Sequence, residues 1–189
     1  MTRILCIDPG SAHHGVAVLD WDSKRVSYVR GGHIEGLNAL QAEYFGEPYD
    51  ATILEVIEGY AFNPARVKDM VLTARNEGRL IQTLYSFGSA PMQFSAGTMR
   101  GHLCRSEHAS DKQVAAVVED LVQNAPVKMR KAERKHIYDA CLYGCYGLVQ
   151  LGARLKLSPD GEAALLKARG ADQLKANAKR AKTKATKVK

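Results

Sequence analysis

The sequence predicts an α/β domain built on a mixed five-stranded sheet, with element order βββαβαβ and helices on its faces. Three observations carry this expectation. Short apolar runs separated by polar turns fill the chain up to residue 34, another strand-length run follows a helical stretch at 51–58, and beyond residue 96 apolar residues recur at helical spacing.

The first element is Ile4-Leu5-Cys6-Ile7, an apolar run that ends in Asp8 and a Pro9-Gly10 turn, so a buried strand reaches the surface at a carboxylate. His14 to Asp20 shows little polar alternation and reads as a second strand returning beside the first. After the turn Asp22-Ser23-Lys24, residues 25–34 are rich enough in β-branched and aromatic residues for a third strand, completing an antiparallel meander. Leu37 to Phe45 reads as a short helix closed by Gly46 and Pro48. Ala51 to Glu58 is the fourth strand, expected to run parallel to the first because a helix precedes it, and it also ends in a carboxylate before a glycine. Next come a helix from Pro64 to Leu84, with Val67, Val71, Leu72, Leu80, Ile81 and Leu84 on its apolar side, and a short fifth strand at 91–95. Helices are expected near 97–105, 110–124 and 132–151. Pro126 separates the last two, and Pro159-Asp160-Gly161 separates the core from the C-terminal segment. The expected organisation is one domain over 1–155 and a flexible C-terminal tail over 156–189.

Charge singles out that tail. The 189-residue chain has a formal net charge of +7, and residues 156–189 alone hold ten Lys and Arg against three acids, while bases and acids cancel elsewhere. A basic arm with little to bury binds polyanions by releasing their counterions, which makes nucleic acid the expected partner and Lys179, Arg180, Lys182 and Lys184 expected contacts. No apolar run approaches the ~18 residues needed to span a bilayer, and Met1-Thr2-Arg3 leads straight into a strand, so a soluble, intracellular protein without a membrane partner is expected. The four cysteines are widely spaced, and packed reduced thiols suit them better than a disulfide framework.

The acids carry the chemistry. If the fourth strand pairs in parallel with the first, Asp8 and Glu58 emerge at one sheet edge on strands ~4.8 Å apart, close enough to share a divalent cation. Glu55 competes for this role, but strand alternation places it on the face opposite Glu58 and in mid-strand, where a structural pairing suits it. His136 and Asp139 are three residues apart on a helix and address one point, the first as imidazole ligand or base and the second as a hard oxygen ligand. Glu133 shares their face.

Ile7-Asp8-Pro9-Gly10, Ile57-Glu58-Gly59 and His136-Ile137-Tyr138-Asp139-Ala140 together resemble the acidic motifs of the RuvC family of Holliday junction resolvases, over approximately residues 3–150. The resemblance implies a ribonuclease H-like fold and a four-residue acidic site at Asp8, Glu58, His136 and Asp139, the third position being Asp in some members and His in others. Ala109-Ser110-Asp111-Lys112-Gln113-Val114 resembles the family segment that brings a lysine to the scissile phosphate, which maps that role to Lys112; the same segment also reads as a helix start capped by Ser110 with a solvated lysine. The family places an aromatic after the strand-four acid at the junction centre, and here Tyr60 and Phe62 are rival candidates. The basic extension resembles that of some phage or viral relatives, which would place the protein in the host cytoplasm.

The implied activity is crossover-junction endonuclease chemistry in DNA recombination and repair. Four-way or related branched DNA would be nicked with two Mg²⁺ or Mn²⁺ ions per site, Asp8 bridging them, by a homodimer joined through the helix at 64–84. Three alternatives stand beside it. One is a catalytically silent junction-binding protein. Another is an actin-like or sugar-kinase-like ATPase, which needs a second such domain and phosphate loop for which the chain has no room. The third is a zinc site on Cys141 and Cys145, which lacks a second ligand pair.

Overall fold

A computed structural model describes residues 1–10, 12–56 and 67–187 of the chain. The strands β1 (Thr2–Pro9), β2 (His13–Trp21) and β3 (Val26–Glu35) form the antiparallel meander, and α1 (Gly36–Tyr44) leads to β4 (Ala51–Val56). Then come α2 (Val67–Ser86), β5 (Met92–Ser95), α3 (Ala96–Leu103), α4 (Asp111–Leu121), β6 (Val122–Gln123), α5 (Lys131–Gln150) and α6 (Pro159–Lys187). The sheet order is β5-β4-β1-β2-β3-β6, with β4 parallel to β1 as expected from its helical crossover. The sheet has six strands rather than five. The helix expected to run through 124 ends at Leu121, where Val122 takes extended backbone and pairs in parallel with Val26 of β3, and Asn124 then turns the chain at φ 59°.

Burial explains the uninterrupted apolar runs of β1 and β2. The inward residues of one face, Ile4, Cys6, Ala17, Leu19 and Ile53, lie in a large core under α3, α4 and α5. On the other face Leu5, Ile7, Val16, Val18 and Leu54 pack against Leu40 and Tyr44 of α1 and Leu80 and Leu84 of α2. A strand covered on both sides needs no polar alternation, and these two lie at the centre of the sheet.

Helix α5 lies directly on the sheet. A Cβ at Gly144 would stand 2.4 Å from Cys6 Sγ and 2.6 Å from Leu19 Cδ1, so only a glycine permits this approach. Cys6, Cys141 and Cys145 meet in the same contact as free, fully buried thiols, and burial pushes all three up, away from the thiolate that zinc needs.

The packing does not stop at residue 155. Pro159-Asp160-Gly161, expected to separate core from tail, is the first turn of α6, and Ser158 caps it by accepting from Gly161 N at 3.0 Å. Ser158 is itself held by Asp120 of α4, Leu165 is buried, and Arg169 donates to the Cys104 carbonyl. Among the described residues no helix is long and apolar enough to cross a membrane.

Replacing Gly144 with alanine should destabilise the fold by about 1–3 kcal/mol, the usual cost of overpacking a filled core. Urea unfolding of the variant checks this.

Candidate active site

The site begins at the register of β1 and β4. Ile7 pairs with Leu54, so Asp8 and Glu55, each one residue further on, stand side by side on parallel strands. Both point to the face covered by α5, because Asp8 comes after Ile4 and Cys6 at intervals of two, and Glu55 comes after Ile53 in the same way. The two side chains share a hydrogen bond, and burial raises the pKa of both before the mutual repulsion of the pair adds to that of Glu55. A hydrogen bond between two carboxyl groups needs a proton, so the pair shares one.

Helix α5 supplies the next groups. Asp139 is only 3% exposed and is raised by burial, although Arg100 of α3, whose Nη2 lies 2.6 Å from Asp139 Oδ1, opposes the rise. Burial alone would lower the Arg100 pKa, but Asp139 and other nearby acids outweigh it and keep the guanidinium charged. His136 Nδ1 lies 2.9 Å from Asp8 Oδ2. That contact needs α5 to come close to β2, and Gly15 allows it: a Cβ there would lie 2.3 Å from the His136 carbonyl oxygen. Behind His136 stands a column of imidazoles, with His33 stacked on it at 5.1 Å between ring centroids and His13 stacked on His33 at 4.5 Å. Tyr143 lies buried beneath, its hydroxyl raised first by burial and then by Asp8, Asp139 and Glu55.

The structure thus brings Asp8, His136 and Asp139 together, and Glu55 holds the place beside Asp8. Glu58, Tyr60 and Phe62 lie outside the described residues. The described part of β4 runs from Ala51 to Val56, with Glu55 paired with Phe94 of β5, and the expected continuation of the strand to Glu58 lies outside the described residues. Lys112 lies in the first turn of α4, exposed, on a cleft of about 190 Å³ whose wall also includes Lys135 and Asp139. On its other side Glu55 borders an open groove of about 370 Å³ against the start of α3. Lys179 is exposed on α6, and Arg180, Lys182 and Lys184 belong to the same helix, far along the chain from the acids. Sequence reasoning missed Arg100, His13 and His33. Nothing local marks them, although the β2–β3 register, which pairs Gly15 with His33, would have placed His33 beneath the start of α5.

Carboxylate oxygens from Asp8, Glu55 and Asp139 with one imidazole form a donor set suited to Mg²⁺ or Mn²⁺. Among the described residues no three His, Cys, Asp or Glu side chains are gathered into a ready coordination cluster. They are instead held in pairs: Asp8 with Glu55, Asp8 with His136, and Asp139 with Arg100. Burial is what chiefly raises these acids, with Arg100 and Lys135 only partly offsetting it, and a divalent cation would complement such a set of oxygen donors.

No protein-family model and no curated protein matches the chain, whereas its fold has solved counterparts. Thermus thermophilus RuvC in complex with a Holliday junction substrate superposes with a TM-score of 0.63 at 15% identity, covering 81% of this chain and 98% of that one. A second structure of Thermus thermophilus RuvC gives 0.59 at 15% identity, covering 80% and 98%. The chain therefore has a RuvC-like fold, a mixed α/β sheet covered by helices, with Asp8 and Glu55 side by side on the parallel neighbours β1 and β4.

Proposed function

We propose that this protein is a divalent-cation-dependent endonuclease that nicks branched DNA, four-way junctions foremost, by hydrolysing a phosphodiester. One observation carries the reading: Asp8, Glu55, His136 and Asp139, from three separate elements, converge at one sheet edge of a RuvC-like fold. The solved neighbour was captured on a Holliday junction, which supports branched DNA as the substrate class.

In this reading Asp8, Glu55 and Asp139 would hold the divalent ions through their carboxylate oxygens, and His136 would ligate one or orient the attacking water. When bound, the two ions would lower the pKa of that water and neutralise the leaving 3′ oxygen. Water forms the new P–O bond, the P–O3′ bond breaks, and the 3′ oxygen leaves with a proton. The Asp8–His136 contact keeps the imidazole aimed at the acids, and the stack on His33 fixes its plane. Arg100 neutralises Asp139 so that the buried acid is tolerated in the folded chain. Lys112, at the rim of the cleft that contains Asp139, is placed to meet a phosphate oxygen. Two symmetric nicks call for a C2 homodimer, and α2, with Val71 half exposed, is the proposed contact; a monomer by light scattering at cleavage-competent concentration would remove that part.

Asp8→Asn should abolish nicking of a synthetic four-way junction while leaving junction binding intact. Unchanged cleavage would sink the nuclease reading, and wild-type protein that binds junctions without nicking them in Mg²⁺ or Mn²⁺ would leave a silent binding protein. Glu55→Gln and Glu58→Gln, assayed side by side, should separate: the first loses nicking and the second keeps it, and the reverse would return the role to Glu58.

Because burial raises Asp8, Glu55 and Asp139, the folded state favours their protonated forms. Their contribution to stability is present at acid pH and is lost as pH rises through their folded-state range. A cation competes with those protons, so Mg²⁺ or Mn²⁺ should raise the thermal midpoint more at pH 8 than at pH 6, and Asp8→Asn should shrink the gain. Arg100→Ala leaves Asp139 buried without its partner and should cost about 3 kcal/mol in urea unfolding.

A further inference from the structure

The basic charge of the chain is given a direction by the way α6 docks. Asp172, in the middle of that helix, accepts from Ser110 Oγ at 2.6 Å and from Gln113 Nε2 at 2.8 Å, which fastens α6 to the first turn of α4. The same turn contains Lys112 and Asp111, and Asp111 lies 3.7 Å from Lys135 of α5, one helical turn before Asp139. The two acids here are engaged: Asp111 faces Lys135, and Asp172 takes two neutral donors, with Lys112 and Lys175 both close enough to act on it. Lys135, Lys112 and Lys175 are exposed, so ammonium groups lead from the edge of the acidic cleft onto α6.

The two halves of α6 differ in kind. Before Asp172 it is an anchor, with Leu165 buried, Glu162 paired with Arg105, and Arg169 on the Cys104 carbonyl. After Asp172 the helix contains no acid, and Lys175, Lys179, Arg180, Lys182, Lys184 and Lys187 succeed one another to its end. Between them stand mainly alanine, threonine and asparagine, and Leu174 is the one large apolar residue, so this half has no apolar face to enter a bilayer. A polyphosphate surface suits it.

We infer that the second half of α6 is a registered basic arm, which continues the Lys135–Lys112 edge of the cleft and seats the backbone of one duplex arm of the DNA. This rests on the nucleic-acid reading of the acidic site. At the usual helical rise, residues 175–187 extend roughly 20 Å, about six base pairs of duplex. Anchorage by Asp172 distinguishes this from a tethered tail, which would add the same charge without a direction.

The test uses the full chain in EDTA, so that cleavage plays no part, with a labelled four-way junction and a linear duplex. The triple variant Lys175→Gln, Lys179→Gln, Lys182→Gln should lower the magnitude of the log affinity against log salt slope by roughly two to three, about one per phosphate contact removed. A tetraglycine insertion after Leu174 keeps every charge and should keep that slope. It should nevertheless weaken junction binding about tenfold and erase a hydroxyl-radical footprint of about six base pairs on one arm. An unchanged slope in the triple variant overturns the arm as a DNA contact, and so does a variant that loses binding to phosphatidylserine vesicles while keeping that to DNA. A glycine-insertion variant with wild-type junction affinity and footprint overturns its registration. A wild-type thermal midpoint in each variant shows that the core is intact. Failure here with nicking retained overturns the arm alone, whereas loss of the nuclease reading shows in the Asp8→Asn experiment.

Discussion

Two buried carboxyl groups, Asp8 and Asp139, and a half-buried one, Glu55, lie within reach of one another, and the local structure is arranged around that cost. Asp8, Glu55 and Asp139 are raised chiefly by burial, Asp139 adds to the field on Asp8 and Glu55, and Arg100 and Lys135 offset part of it. Such a cluster survives in a folded protein by keeping protons, by pairing with cations, or both. Here Asp8 and Glu55 lie side by side and share a proton, Asp139 takes Arg100, and Asp8 also faces His136. Carboxylates buried beside so little positive charge are the physical ground on which divalent ions are proposed for this site.

The cluster exists because α5 lies unusually close to the sheet. Gly144 lets the middle of the helix rest on Cys6 and Leu19, and Gly15 lets its first turns approach β2. His136 and Asp139 thereby descend to the level of Asp8 instead of standing above it as solvated helix residues. The imidazole column of His13, His33 and His136 has the same origin, since two neighbouring strands present rings to the start of α5. Packing at apolar positions and geometry at polar ones are one constraint.

The first turn of α4 connects this site with the basic half of the molecule. It carries Lys112 on the cleft, meets Lys135 through Asp111, and receives Asp172 from α6 through its cap residue Ser110 and through Gln113. A cap that stabilises one helix therefore also fastens another, and the basic half of α6 starts from a fixed point on the first turn of α4.

The order of the first five strands with the helices between them, the parallel pairing of β4 with β1, and the nearness of Asp8 to His136 were legible in the sequence, because they depend on local periodicity and on a residue type at a strand end, whereas β6 and α6 were not. Nor was the proximity of Glu55 to Asp8. It follows from the register that pairs Leu54 with Ile7, which packing across the sheet sets rather than the run of residues 51–58, while Glu58 lies outside the described residues. Arg100 escaped notice because a lone arginine on a short helix has no pattern, and its role comes from a contact 39 residues away in the chain. Likewise, composition alone assigned residues 156–189 to a solvated tail, since a charged stretch has little to bury. Only the tertiary structure supplied the Asp120 contact at Ser158, the burial of Leu165 and the Asp172 hydrogen bonds that give its first half a place on the core. Charge and periodicity are properties of the chain, while register and docking are decided by what the rest of the fold brings alongside.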